Sequence, residues 1–211
     1  MPAIKKAIDL KRRSPRRANA RATVEAIFEA TARILQSEGK AALNTNLIAE
    51  RAGVSIGALY GYFPNKDAIL LAMARRELDL VRDRVADALT REANADIHPV
   101  RRAVRALIKG YGTRSRSRRI LMETLFAHGG SEEMARPVNE IANLILMRSG
   151  DILPKGATPP SPIGMYVLTR AVDSVIRTAT YENVAFIGSP TFEDELVRLV
   201  NGYLSERNRA A

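Results

Sequence analysis

Apolar residues recur at three- and four-residue steps along most of this chain, and no run alternates with period two over the length of a strand. Such a pattern buries its apolar surface by packing helix on helix, so the expected fold class is all-α. A length of 211 residues allows one or two compact domains.

Caps, glycines and prolines divide the pattern into about nine helices. Val24, Ile27, Phe28, Thr31, Ile34 and Leu35 predict a first helix over residues 22–38, stopped by Gly39. Asn44 caps a second over 45–52, Gly53-Val54 turns the chain, and Ser55 caps a third reaching about residue 63. Pro64-Asn65 breaks the run before a long fourth helix, 66–93. A fifth follows His98-Pro99 to residue 111, a sixth spans 120–128, and a seventh runs from Ser131 to about 153 with Pro137 in its first turns or at a kink. Four prolines between 154 and 162 demand a loop, after which helices are expected over 163–183 and 192–207.

Charge is distributed unevenly. Thirty-three Lys and Arg against 23 Asp and Glu leave a formal +10, and residues 1–22 hold eight of the basic residues against Asp9 alone. A basic flexible arm, 1–20, therefore precedes a nearly balanced body, and polyanions lead the candidate partners. Arg16 and Arg17 sit where an arm reaches the minor groove of a duplex, although a solubilising tail has the same composition.

Other chemistries find little support. Without cysteine there is no disulfide, thiolate metal site or cysteine nucleophile, and His98 and His128 stand apart from any second ligand, so neither metal nor cofactor is expected. A Gly-rich phosphate loop and a nucleophilic triad are both missing, which argues against an enzyme. No apolar run approaches the roughly 20 residues of a membrane span, and none follows the basic N-terminus as in an export signal. A cytoplasmic protein is expected.

Two short helices joined by a tight glycine turn, behind an amphipathic helix, are the parts of a helix-turn-helix. Ala49 and Ala52 are small enough to let the second and third helices approach, and Gly53 accepts positive φ at the turn. Helical spacing sends Leu59 and Phe63 inward and leaves Ser55, Ile56, Gly57, Tyr60 and Tyr62 outward. That outward set suits a duplex: tyrosine hydroxyls reach phosphates or base edges, Ile56 meets a thymine methyl, and Gly57 admits a close approach. Ser55 and Asn65 present helix N-termini, and Lys66 adds a charge. Helical hairpins of this kind also occur in many all-α proteins, and half-buried packing uses tyrosines in the same spacing.

The run Ile48-Ala49, Ala52-Gly53-Val54-Ser55, Gly57, Leu59-Tyr60, Tyr62-Phe63 and Lys66, behind a helix ending at Gly39, resembles the N-terminal signature of the TetR family of transcriptional regulators over about residues 20–70. The resemblance implies a three-helix DNA-binding domain, 21–67, and an all-α ligand-binding and dimerisation domain, 68–211. It also implies that Asn44, Thr45, Ser55, Ile56, Gly57, Tyr60, Tyr62 and Lys66 face operator DNA.

A single recognition helix reads too few bases for a unique site, so a homodimer on a palindromic double-stranded operator is expected. Leu168, Val172, Val175 and Ile176 form one apolar stripe, and Leu196, Leu199, Val200 and Tyr203 form another. Paired with symmetry mates they make a four-helix interface; alternatively, both stripes face the protomer's own core. Tyr111, Met122, Phe126, Met147 and Tyr166 offer adaptable and amphipathic surface for a small-molecule effector of unknown identity, and core packing accounts for the same residues. The combined expectation is a repressor released from its operator by that effector. The competing expectation is a basic helical protein that binds a membrane or a protein partner through its arm.

Overall fold

The computed structural model describes residues 15–91, 98–111, 116–153 and 158–210. Among the described residues there are ten α-helices and no strand. They are α1 (Pro15–Ser37), α2 (Thr45–Ala52), α3 (Ile56–Tyr62), α4 (Lys66–Thr90), α5 (Pro99–Tyr111), α6 (Arg116–Ala127), α7 (Ser131–Met147), α8 (Ser149–Ile152), α9 (Pro162–Tyr181) and α10 (Pro190–Ala210). A single 3₁₀ turn, Lys40–Ala42, lies between α1 and α2. The chain is all-α, as its periodicity predicts, and none of the described helices is long and apolar enough to cross a membrane.

Three boundaries differ from expectation. Helix α1 begins at Pro15 rather than near residue 22, so residues 15–20 are helical and do not belong to a flexible arm. Proline is pre-set for the first helical position, and the Arg and Ala that follow are good helix formers, so local charge does not prevent the extension. Residues 1–14 of the expected arm lie outside the described residues. Helix α6 begins at Arg116, four residues earlier than expected, and includes Arg118, which is buried and donates to the Gly110 carbonyl and, at 2.6 Å, to Glu77. The expected seventh helix closes early, where Arg148 turns to φ −117°, ψ 29°, and the single turn α8 follows. Ser149, Gly150 and Asp151 are weak helix formers and do not carry the longer helix through.

Contacts divide the chain into two compact units, Met1–Met73 and Ala74–Ala211, so α4 opens in the first and runs mostly in the second. In the first unit, Ile27, Ile34 and Leu35 of α1 are buried with Ile48 of α2, Leu59 of α3 and Ile69 and Leu70 of α4. The Phe28 and Phe63 rings meet at 5.8 Å between centroids, a spacing at which tilted aromatic pairs attract. In the second unit the core joins Val81 and Val85 of α4, Val104 and Ile108 of α5, Leu168 and Ile176 of α9, and Leu196 and Val200 of α10.

Candidate nucleic-acid interface

The first unit builds its exposed face from two capped helices. Asn44 caps α2: its Oδ1 accepts the Leu47 N–H at 2.9 Å, which satisfies one of the four orphan donors of the first turn. Gly53 closes α2 at φ +67°, a conformation that favours glycine, and Val54 N–H then returns to the Ala49 carbonyl at 3.0 Å. Ser55 caps α3 by accepting Ala58 N–H at 3.1 Å, and the Asn65 carboxamide accepts Ala68 N–H at 2.8 Å at the start of α4. Each side chain acts only three residues along the chain, so the entry direction of each helix is set locally.

Helix α3 has one buried face and one bare face. Leu59 is fully buried and Phe63 nearly so, whereas Ile56, Tyr60 and Tyr62 are 39%, 52% and 42% exposed. Ser55, Gly57 and Gly61 are exposed with them. A Cβ added at Gly57 or Gly61 would meet nothing within 4 Å, so protein packing does not require the absence of a side chain at either position. The Tyr60 hydroxyl lies 3.1 Å from Thr45 Oγ1, joining α3 to the first residue of α2 on the exposed side. Sequence reasoning missed this bond, because two residues fifteen apart on different helices leave no periodic signal.

Lys66 departs from its expected outward role. Its ammonium donates to the Leu43 carbonyl at 3.1 Å and is partly buried, so one of its three donors ties the start of α4 to the segment before α2. Arg16 and Arg17 lie in the first turn of α1. The exposed surface thus consists of hydroxyls, a short apolar side chain, glycines and capped helix N-termini, a set able to hydrogen-bond phosphates and base edges.

In the second unit the expected ligand cluster does not assemble. Phe126, Met147 and Tyr166 are 57%, 84% and 58% exposed, Met122 is half-buried, and of the five only Tyr111 lines the apolar cavity between α4, α5, α7 and α9. Side-chain type alone does not fix depth: Phe126 of α6 and Met147 of α7 turn outward, whereas Ile120, Leu121 and Leu125 of α6 and Met134 of α7 are buried. Asp173 also lines that cavity and accepts the Tyr111 hydroxyl at 3.0 Å. Burial pushes the Asp173 carboxyl above the usual carboxylate range, against the opposing pull of Arg177 and the Tyr111 bond, and burial beside this carboxyl pushes the Tyr111 phenol up as well. The missed signal was spacing: Asp173 follows Thr169 by four residues and precedes Ile176 by three, on the buried stripe of α9.

The expected interface also divides. Leu168, Val172, Ile176, Leu196 and Val200 are buried within their own protomer and offer little surface to a partner copy, while Val175 and Leu199 are exposed and Tyr203 is half-buried. Helix α9 is apolar on two sides, and periodicity does not say which side the core takes. Its outer side carries Ile163, Tyr166, Val167 and Val175, all more than 40% exposed.

Residues 27–73 match the family model described as bacterial regulatory proteins, tetR family. The HTH-type transcriptional regulator BetI 1 of Chromohalobacter salexigens is 34% identical over 112 residues, and the chain spans about half the length of this curated relative, with 53% of its own length matched. A TetR-family transcriptional regulator from Streptomyces coelicolor superimposes with a TM-score of 0.54 at 26% identity, over 87% of this chain and 98% of that one. BioQ, solved with its double-stranded DNA operator, superimposes with a TM-score of 0.53 at 22% identity, over 86% and 97%.

Proposed function

We propose that the chain is a transcriptional regulator of the TetR family, that it binds a specific duplex operator through α3, and that it releases the operator when a small molecule enters the C-terminal unit. One observation carries the DNA reading: α3 leaves Ser55, Ile56, Gly57, Tyr60 and Tyr62 exposed while Leu59 and Phe63 hold it to the core, and Gly57 is not explained by any internal contact. A helix of seven residues reads few bases, which favours a homodimer on a palindrome, with Val175, Leu199 and the outer side of α9 as the surface between protomers. The apolar cavity of the second unit supports an effector site, and repression relieved by that effector is the simplest regulatory use of the two sites. For release, the effector must favour the DNA-incompetent form; a coupling of about 1–3 kcal/mol changes operator affinity roughly 5- to 150-fold.

Selection of bound sequences from a random duplex pool tests this reading. The expected outcome is an enriched palindrome whose binding is lost in Tyr60→Ala, with the variant's thermal melt unchanged. A pool that yields no enriched sequence, or binding indifferent to Tyr60→Ala, overturns it in favour of attachment through the basic arm alone.

A further inference from the structure

The cavity of the second unit has a volume of about 130 Å³, with walls that are apolar apart from Arg82, Tyr111, Thr169 and Asp173. A cavity of comparable size, about 150 Å³, holds a benzene molecule, so the occupant has the bulk of one ring or a short alkyl chain. Three of the four polar residues are already engaged. Thr169 donates to the Met165 carbonyl of its own helix at 2.8 Å. The Arg82 guanidinium lies within 3.2 Å of Asp79, Asp83 and Glu140, three carboxylates that satisfy its charge. The Tyr111 hydroxyl donates its hydrogen bond to Asp173.

Among the described residues, Asp173 is the exception. It is 5% exposed, its Oδ1 accepts from Tyr111, and Arg177 stands 4.0 Å from Oδ2, beyond hydrogen-bond range. A carboxylate has about four acceptor sites, and a buried one left short of donors is costly. An apolar wall around one under-supplied carboxylate is the complement of an apolar molecule with a single cationic donor.

We propose that the effector is a small monocationic amine, with a single ring or short alkyl body in the apolar cavity and its ammonium received by Asp173. The proposal rests on the reading of the second unit as an effector site and names the class of molecule it takes. An anionic ligand would have to compete with three carboxylates for Arg82 and would face Asp173 as a like charge. A neutral alcohol would supply one donor but no charge, leaving Arg177, at 4.0 Å, as the nearest cation to Asp173.

Calorimetric titration of the full-length protein with benzylamine, benzyl alcohol and benzoate tests the class, since the three share a ring and differ in the head group. Benzylamine should bind at least tenfold more tightly than either of the others, and Asp173→Asn should reduce it to the level of benzyl alcohol. Failure of benzylamine to bind, equal or tighter binding of benzoate or benzyl alcohol, or tight benzylamine binding retained in Asp173→Asn overturns the proposal. The comparison of the three probes on the unaltered protein decides the matter even where the variant does not fold. Operator binding measured in parallel separates the two claims: benzylamine that binds through Asp173 without weakening DNA binding sustains the site and sinks effector-driven release.

Discussion

The hydroxyl oxygens of Thr45 and Tyr60 lie 3.1 Å apart, linking the first turn of α2 to the exposed side of α3. Each group orients the other while keeping capacity for a phosphate or base edge. Tyr60→Phe and Thr45→Val should each weaken operator binding by about 1–2 kcal/mol, the scale of a hydrogen bond near a charged acceptor. The double variant should lose less than the sum, with a coupling of about 0.5–1 kcal/mol in a double-mutant cycle. Strictly additive losses would show that the bond has no part in DNA reading.

Gly53 and Gly57 predict opposite behaviour. Gly53 holds φ +67°, so Gly53→Ala should cost about 1–2 kcal/mol of stability through backbone strain. Gly57 lies in α3 with open space at its Cβ position, so Gly57→Ala should leave stability unchanged or raise it by up to about 1 kcal/mol. Its operator affinity should nevertheless fall. Thermal melts and DNA titrations of both variants check the pair; unimpaired binding by Gly57→Ala would remove this residue from the interface.

The raised Asp173 carboxyl makes stability depend on pH with a definite sign. Tyr111 on α5 and Arg170 and Arg177 on α9 act on this carboxyl, and burial outweighs their stabilisation of its charged form. The folded protein therefore holds this proton more tightly than the unfolded chain does, and the contribution of Asp173 to stability falls as pH rises from the ordinary carboxylate range through the raised value. Asp173→Asn removes that loss. The stability difference, variant minus parent, should grow between pH 4.5 and pH 7.5 in denaturant titrations; a difference that shrinks over this interval contradicts the burial argument.

Residues 1–14 include Lys5, Lys6, Lys11, Arg12 and Arg13. Because α1 starts at Pro15, deleting 1–14 keeps the whole helix and should not change the melting temperature. Binding to all duplexes should weaken, and the logarithmic salt dependence should flatten by roughly 0.9 for each phosphate contact removed. An unchanged salt slope would show that these cations do not touch DNA.

The hairpin was legible nearly to the residue because its determinants act over three or four positions: Asn44 and Ser55 cap, Gly53 turns, and Leu59 and Phe63 share a face. The start of α1 was not, since a run of arginines reads as solvated tail while the preference of Pro15 for a first helical position points the other way. The interior of the second unit was the least legible. Phe126 and Met147 have the composition of pocket residues and lie on the surface, whereas Asp173 has the composition of a surface residue and lines the cavity. Depth in a helical bundle is decided by neighbours far away in sequence, and Ile163 and Val172 of the same helix ended on opposite sides for that reason.

Helix α3 has seven residues, fewer than the roughly 12–15 that an isolated helix needs to be even marginally stable in water. It exists only while Leu59 stays buried and Phe63 stays against Phe28 of α1, so it cannot persist as a loose but competent reading element. Warming should erase sequence reading and head structure in one cooperative step, with operator occupancy tracking the melt of residues 15–73 rather than declining in advance of it.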